Sequence, residues 1–491
     1  MRYKRVLLVQ AMYDNTFSNV LPYGLGVLSE VLTAGGIEND VYDLNRDKRV
    51  GGLLGKIRSF SPDLVGVSMM SLNYRHTFRV MAKIKRFFPG IKIAAGGPHI
   101  STVRQKALED ERALDYGAVL EGEDTLVELC RGAGYESIKG LMFRESGGRV
   151  TYTGDREFRK DLDSIPFPKY GKFDKSRYSG LITIITSRGC PYECIYCPVK
   201  LAIGRSLRFR SAGSVADEIE RHYRLGFREF SFRDDNFTFR EDHVYSVCDE
   251  IIRRGMKGLY LMCDNGVRAD RVDEKMLIRM REAGFRMLGF GIESGSQKIL
   301  DNIKKRTRVE DMKKAVAAAC RLGYKVELFF LIGSPGETWD DFMESVKFAT
   351  EFPISVASFY QLLPYPSTEL FDYVSGHGRF LSGPEKYLNR GSQRRNTPFF
   401  ETPEFTRGQR KKAFTFALEA VRKSPVLRAA RVKAHESNLR AKLARAGIKG
   451  RLQDAITGVY CNEFLHDHIF NNPVTAGVKK MMMNRPGGGA A

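Results

Sequence analysis

The sequence has no apolar run that approaches the roughly 20 residues of a membrane-spanning helix, which argues against an integral membrane protein built on helices. It also lacks a charged-then-apolar leader. Met1-Arg2-Tyr3-Lys4-Arg5 passes directly into Val6-Leu7-Leu8-Val9, which reads as a strand, so no cleavable signal is expected. Cysteine is scarce, eight in 491 residues, and three of the eight sit in one short stretch. That distribution excludes a disulfide framework and suits reduced thiols in a cytoplasm. Acidic residues are in deficit, 58 against 79 Lys and Arg, leaving a net charge of +21. The surplus would suit nucleic acid or anionic lipid, but a generally basic surface explains it as well and is preferred.

What is present centres on Ser187-Arg188-Gly189-Cys190-Pro191-Tyr192-Glu193-Cys194-Ile195-Tyr196-Cys197-Pro198, which follows an apolar run over 181–186. Cys190, Cys194 and Cys197 have the spacing C-x3-C-x2-C. Four thiolates close a structural Zn or iron–sulfur site. Three packed this tightly can hold three irons of a cubane and leave the fourth open to a substrate. A fourth ligand from Cys248, Cys263 or Cys320 would instead close the site.

The chain is long enough for two or three domains. Residues 1–135 alternate strands (5–10, 40–44, 63–70, 92–99) with helices (22–32, 74–87), the pattern of a doubly wound parallel α/β sheet. Ligands of such sheets lie at the carboxyl ends of the strands. Residues 136–180 read as a hairpin around Glu145-Ser146-Gly147-Gly148 and a proline-stiffened linker over 161–168. From 181 to 365 a strand-then-helix unit repeats six times, with strands near 181–186, 229–233, 258–263, 287–292, 325–332 and 355–363. Right-handed crossovers curl six such units into a partial (βα)6 barrel with its chemistry at the strands' carboxyl ends. Residues 366–491 form a C-terminal region, irregular over 367–400, then helical and basic from about 406 to 470, with a disordered Gly-Ala tail. The basic helices could cap the barrel or lie on anionic lipid, although a solvated basic face is the plainer reading.

The cysteine stretch resembles the signature of the radical S-adenosylmethionine (SAM) enzymes, including the aromatic Tyr196 before the last cysteine. The resemblance implies a 4Fe-4S cluster on Cys190, Cys194 and Cys197, with SAM chelating the open iron and yielding a 5′-deoxyadenosyl radical. It also implies SAM contacts from Tyr196, from Asp234, Asp235 and Asn236, from Arg268, from Glu293 and Ser294, and from the turn at Gly333. Taken singly, an Asp-Asp-Asn turn is often a helix cap and Gly-Ser-Pro-Gly-Glu often only a turn. Cys263 is a weak candidate for an additional catalytic cysteine; Cys248 reads as a buried helix thiol.

The first 135 residues are similar to the cobalamin-binding domain that precedes the barrel in one large subgroup of this family. That similarity implies cobalamin against Ser68, Ser71, Leu72, Asn73, Gly96, Gly97, His99, Glu121 and Gly122. The D-x-H-x-x-G motif that ligates cobalt elsewhere is absent, and His76 and His99 are the only histidines here, so no motif histidine is expected on the metal. The subgroup's commonest chemistry is methyl transfer to an unactivated carbon of a small-molecule, lipid or tetrapyrrole substrate. Ring formation or oxidative cyclisation is an alternative. The resemblance further implies an external one-electron donor such as flavodoxin or ferredoxin. An RNA methylthiotransferase would suit the charge, but it needs three more N-terminal cysteines and only Cys130 is there, so a nucleic-acid partner is not expected. A corrinoid- or cluster-binding protein without activity is the other rival.

Overall fold

The computed structural model describes residues 1–11, 19–47, 49–390, 393–430, 450 and 453–454. In the first domain β1 (Arg5–Gln10), β2 (Glu38–Asp43), β3 (Leu64–Ser68), β4 (Lys92–Gly96) and β5 (Tyr116–Ala118) are parallel. The hairpin of β6 (Leu141–Arg144) and β7 (Val150–Tyr152) pairs antiparallel on β5. The hairpin read as a join between halves is therefore the edge of the first sheet, whose order is β2-β1-β3-β4-β5-β6-β7.

Alternation along β1 explains why this sheet is covered on both faces. Leu7 and Val9 enter a core with Val65, Val67, Ile93 and Ala95. Val6 and Leu8 enter a second core that continues without a break into the other domain. The strand order reverses between β1 and β3, which is where sheets of this topology bind ligands.

The second domain opens with β8 (Leu181–Ile184) and a short antiparallel ribbon, β9 (Ser187–Arg188) with β10 (Arg208–Phe209). It continues through β11 (Glu229–Phe232), β12 (Tyr260–Val267), β13 (Phe285–Glu293), β14 (Lys325–Ile332) and β15 (Val356–Gln361). Together with β8 these five make a parallel six-stranded sheet in sequential order, the expected open barrel. Amphipathic helices return the chain between strands, among them Ala212–Arg224, Glu241–Arg253 and Trp339–Glu351.

One strand differs from expectation. β12 runs four residues past Cys263, and its register against β13 shifts between Cys263 and Val267. Asp264, Asn265 and Gly266 thus lie on a bulged strand extension rather than in a loop, and the bulge re-aims their side chains.

The stretch 367–400, read as irregular, contains helices Glu369–His377 and Pro384–Arg390. Thr368 caps the first by accepting from Phe371 N–H (3.3 Å), and proline opens the second. Helix Arg407–Lys423 then buries Ala413, Phe414 and Ala417 against the barrel. The expected basic helices beyond residue 430 and the Gly-Ala tail fall almost wholly outside the described residues.

Candidate active site

The cluster loop leaves β9 through Gly189, whose φ is +96° and whose missing Cβ would stand 2.2 Å from Ser206 O. No side chain fits there. Cys190, Cys194 and Cys197 follow, each partly exposed. Burial pushes Cys197 up to about 12 and raises Cys190. Without iron these two are thiols, and loading a cluster must release their protons. Among the described residues no three His, Cys, Asp or Glu converge on a single ion. Cys248 and Cys263 are buried in the barrel core and Cys320 lies on the helix Val309–Arg321, so none joins the loop. Cys263, the candidate for an additional catalytic cysteine, lies buried on β12, where burial holds its thiol well above the usual range.

The Asp234-Asp235-Asn236 turn after β11 divides its roles. Asp234 Oδ1 accepts from Thr186 N–H (2.9 Å), Thr186 Oγ1 (2.9 Å), Ser187 Oγ (2.6 Å) and Ser187 N–H. One oxygen of its carboxylate therefore pins the turn that launches the cluster loop. Its Oδ2 is buried without a partner, as are both amide atoms of Asn236. Buried orphans on one turn at the barrel mouth are unusual in a folded chain and fit a polar ligand placed against them. Asp235 is pushed up to about 7, by burial first and then by Asp234.

At the end of β13, Glu293 holds a left-handed φ of +65° and accepts from the buried Lys305 ammonium (2.8 Å). Burial opposes that ammonium, yet Glu293 and Cys194 keep it above the usual lysine range. Tyr196 lies beside Glu293, and burial, then Glu293, hold its phenol well above 10. Arg268 pairs with Asp270 (3.0 Å), donates to Lys305 O (2.8 Å) and stands 3.8 Å over the Tyr192 ring of the cluster loop. Ser294 is held on the far side of the strand end. It is fully buried, its hydroxyl accepts from Ser296 N–H (3.1 Å) and meets Ser345 Oγ (3.3 Å), and it faces an outer helix rather than the mouth. Gly333 has φ +97°, but the close approach it permits is taken by Arg410, which donates to Gly333 O (3.1 Å). Glu337 accepts from Ser334 N–H (3.0 Å) and Gly333 N–H in the same turn, and burial lifts it to about 7. Lys305 and Arg410 were missed because each sits in a basic run that reads as surface.

On the first domain, Ser68 and Gly96 end β3 and β4. A Cβ on Gly96 or Gly122 would meet nothing closer than Ala118 (3.6 and 3.7 Å), an open edge that fits a flat ligand. Gly97 (φ +98°) instead packs on Met69. His99 is buried, stacked on Tyr74 (centroids 4.6 Å apart), with Nδ1 3.3 Å from Ser71 Oγ. Burial takes it down to about 4, so it is neutral. Leu72 packs on the core, and Asn73 N–H donates to Leu388 O (2.8 Å). Asn73's backbone is thus held by the C-terminal region. Glu121 reaches across to the second domain. It ion-pairs with Arg208 (2.8 Å) and Arg188 (3.2 Å), while Glu123 takes Arg188 (2.7 Å). These carboxylates grip the ribbon before Cys190 and join the two domains.

Comparison with known proteins agrees with this layout. The family model described as Radical SAM superfamily matches residues 184–349, and the B12 binding domain model matches residues 10–130. An uncharacterized methyltransferase of Pyrococcus horikoshii is 29% identical over 399 residues, covering 78% of this chain and 85% of that one. Cytidylyl-2-hydroxyethylphosphonate methyltransferase of Streptomyces wedmorensis is 28% identical over 458 residues, 79% of this chain and 84% of that one. The structure of the radical SAM methyltransferase TsrM of Kitasatospora setae, with cobalamin and a [4Fe-4S] cluster bound, shares the fold. Its TM-score is 0.68 at 20% identity, covering 85% of this chain and 88% of that one. With three cysteines on a loop at the barrel mouth and an open sheet edge beside it, the chain belongs to the radical SAM enzymes that carry a B12-binding domain.

Proposed function

We propose that the protein is a cobalamin-dependent radical SAM methyltransferase that alkylates an unactivated carbon of a small molecule. The observation that carries the reading is the grip of Glu121 and Glu123 on Arg188 and Arg208. It ties the carboxyl edge of the first sheet to the residues just before Cys190, which supports two cofactor sites that share one boundary. Segment Pro384–Arg390 spans the same boundary: Leu388 O accepts from Asn73 N–H, and Tyr387 OH donates to Pro364 O (2.6 Å).

Bound there, the cofactors would supply a radical able to take hydrogen from carbon and a methyl group to replace it. The chain's own residues bind and orient. Cys190, Cys194 and Cys197 hold the cluster. The free amide of Asn236 offers a donor and an acceptor to the methionine end of SAM. Glu293, fixed by Lys305, and Tyr196 line its ribose side. Gly96 and Gly122 admit the corrin edge. His99, held neutral and stacked on Tyr74, shapes that face and carries no motif for ligating the metal. The electron would come from an external carrier such as flavodoxin or ferredoxin.

The test is the protein purified anaerobically from cells supplied with cobalamin, given SAM labelled in its methyl group and a reductant. About one corrinoid per chain, reductant-dependent 5′-deoxyadenosine and label in a methylated product from a cell extract are expected. No corrinoid beside an intact cluster would overturn the cobalamin reading, and 5′-deoxyadenosine without a methylated product would move it to cyclisation.

A further inference from the structure

The surface around the cluster loop carries an excess of positive charge that the rest of the barrel does not. Glu193, between the first two cysteines, is shared by Arg205 (2.9 Å) and Arg306. Glu369, at the start of its helix, is shared by Lys200 (3.1 Å) and Lys304. Each carboxylate leaves one cation uncompensated. Arg271 adds another. It donates to Tyr192 Oη (2.8 Å), and Asp270, 4.0 Å away, is already taken by Arg268. On the outer helices the balance is even or reversed: Lys313 meets Glu351 alone, Arg224, Arg253 and Arg254 share Asp217, Glu220 and Glu250, and Arg279 takes both Asp249 and Glu282.

A second observation concerns the backbone. Lys304 and Arg306 both hold left-handed φ, +54° and +53°, on either side of Lys305. The chain thereby turns Lys305 inward to Glu293 and leaves Lys304 and Arg306 outside, with side chains 49% and 64% exposed. Two non-glycine residues held so within three positions cost free energy that the fold must offset, and such outliers cluster at functional sites. The three cysteines are themselves partly exposed on the loop whose Tyr192 and Glu193 these cations contact.

We propose that Lys200, Arg205, Arg271, Lys304 and Arg306 form the docking surface for an acidic one-electron carrier protein. The carrier is oxidised by one electron and the cluster on Cys190, Cys194 and Cys197 takes it up. The inference rests on the cluster reading, but it is independent of what the enzyme does to its substrate.

The test is the second-order rate at which a reduced flavodoxin of strongly negative net charge bleaches the reconstituted cluster, against the rate with dithionite. The variants are Arg205→Glu with Arg306→Glu, the neutral pair Arg205→Gln with Arg306→Gln, and Lys347→Glu on an outer helix as control. Electrostatic steering of this kind predicts a drop of about tenfold or more with flavodoxin in the double charge reversal, and a smaller one in the neutral pair. The wild-type rate should also fall as salt is raised from about 50 mM to about 500 mM, as the screening length shortens. Iron content, dithionite rates and the Lys347→Glu protein should stay at wild-type values. Binding of oxidised flavodoxin, followed by titration, should weaken in parallel. An unchanged flavodoxin rate in the double reversal overturns the proposal. So does an equal loss with dithionite, which would place the two arginines in cluster retention instead.

Discussion

At the barrel mouth side chains hold backbone. Asp234 takes four donors from Thr186 and Ser187, Lys305 fixes Glu293, and Arg268 lies over Tyr192. At the carboxyl edge of the first sheet, backbone and absent side chains set the shape. Gly96 and Gly122 leave an open margin, and the loop at Asn73 is tied by its own N–H to Leu388 O. The contrast fits what each site must hold. A cluster and SAM need ligands at fixed angles, so the mouth is built from positioned polar groups in a poorly solvated place. A corrin presents a broad face, which needs clearance more than it needs contacts. The mouth should accordingly be fragile to single substitutions and the sheet edge tolerant.

The strongest way to break the comparison is Cys194→Ala, which should remove the cluster and abolish reductive cleavage of SAM while corrinoid still binds. Iron analysis and 5′-deoxyadenosine formation check this, and full retention of both would sink the cluster assignment. Next is Asp234→Ala. Four donors would lose a charged acceptor, so stability should fall by at least about 3 kcal/mol in denaturant melts, with iron lost from the folded fraction. Arg410→Ala should cost about 1–3 kcal/mol by leaving Gly333 O unpaired, and should weaken SAM binding through the turn it supports. Arg410→Lys should recover part of both, which a purely packing role would not give.

The pH dependence comes lower in size. Burial takes His99, His222 and His243 each to about 4, below the usual 6.5. Between those values the unfolded chain binds protons that the folded chain refuses, so stability is flat with respect to these groups above about pH 7 and falls as pH drops. Each histidine contributes up to about 1.4 kcal/mol per pH unit in that window, and His222→Gln should flatten the slope by that share in urea midpoints measured from pH 7 to 5. The smallest effect on the fold should come from Gly96→Val. Stability should stay within about 0.5 kcal/mol while corrinoid content drops with the cluster intact. Loss of the cluster in that variant would contradict the division of labour between the two edges.

The sequence by itself determined the order of elements, because apolar runs alternating with amphipathic segments allow few other folds, and β8 and β11–β15 fall where the pattern puts them. It also determined the cluster loop, since three cysteines in eight residues are held together by the chain whatever surrounds them. Tertiary structure decided the rest. Polar residues at a strand's end all look alike in sequence, but Ser294 and one oxygen of Asp234 point into their own scaffold, Glu121 into the neighbouring domain, and both amide atoms of Asn236 are buried without a partner. The bulge that carries Asp264 along β12 depends on the register of β13, where Cys263 pairs with Leu288 and Val267 with Phe290. Lys305 and Arg410 sit among charges that pattern assigns to solvent, and only the folded chain shows them buried against Glu293 and Gly333. Periodicity reports which face of an element is apolar; it carries nothing about which charge, brought from a distant element, will be desolvated against it.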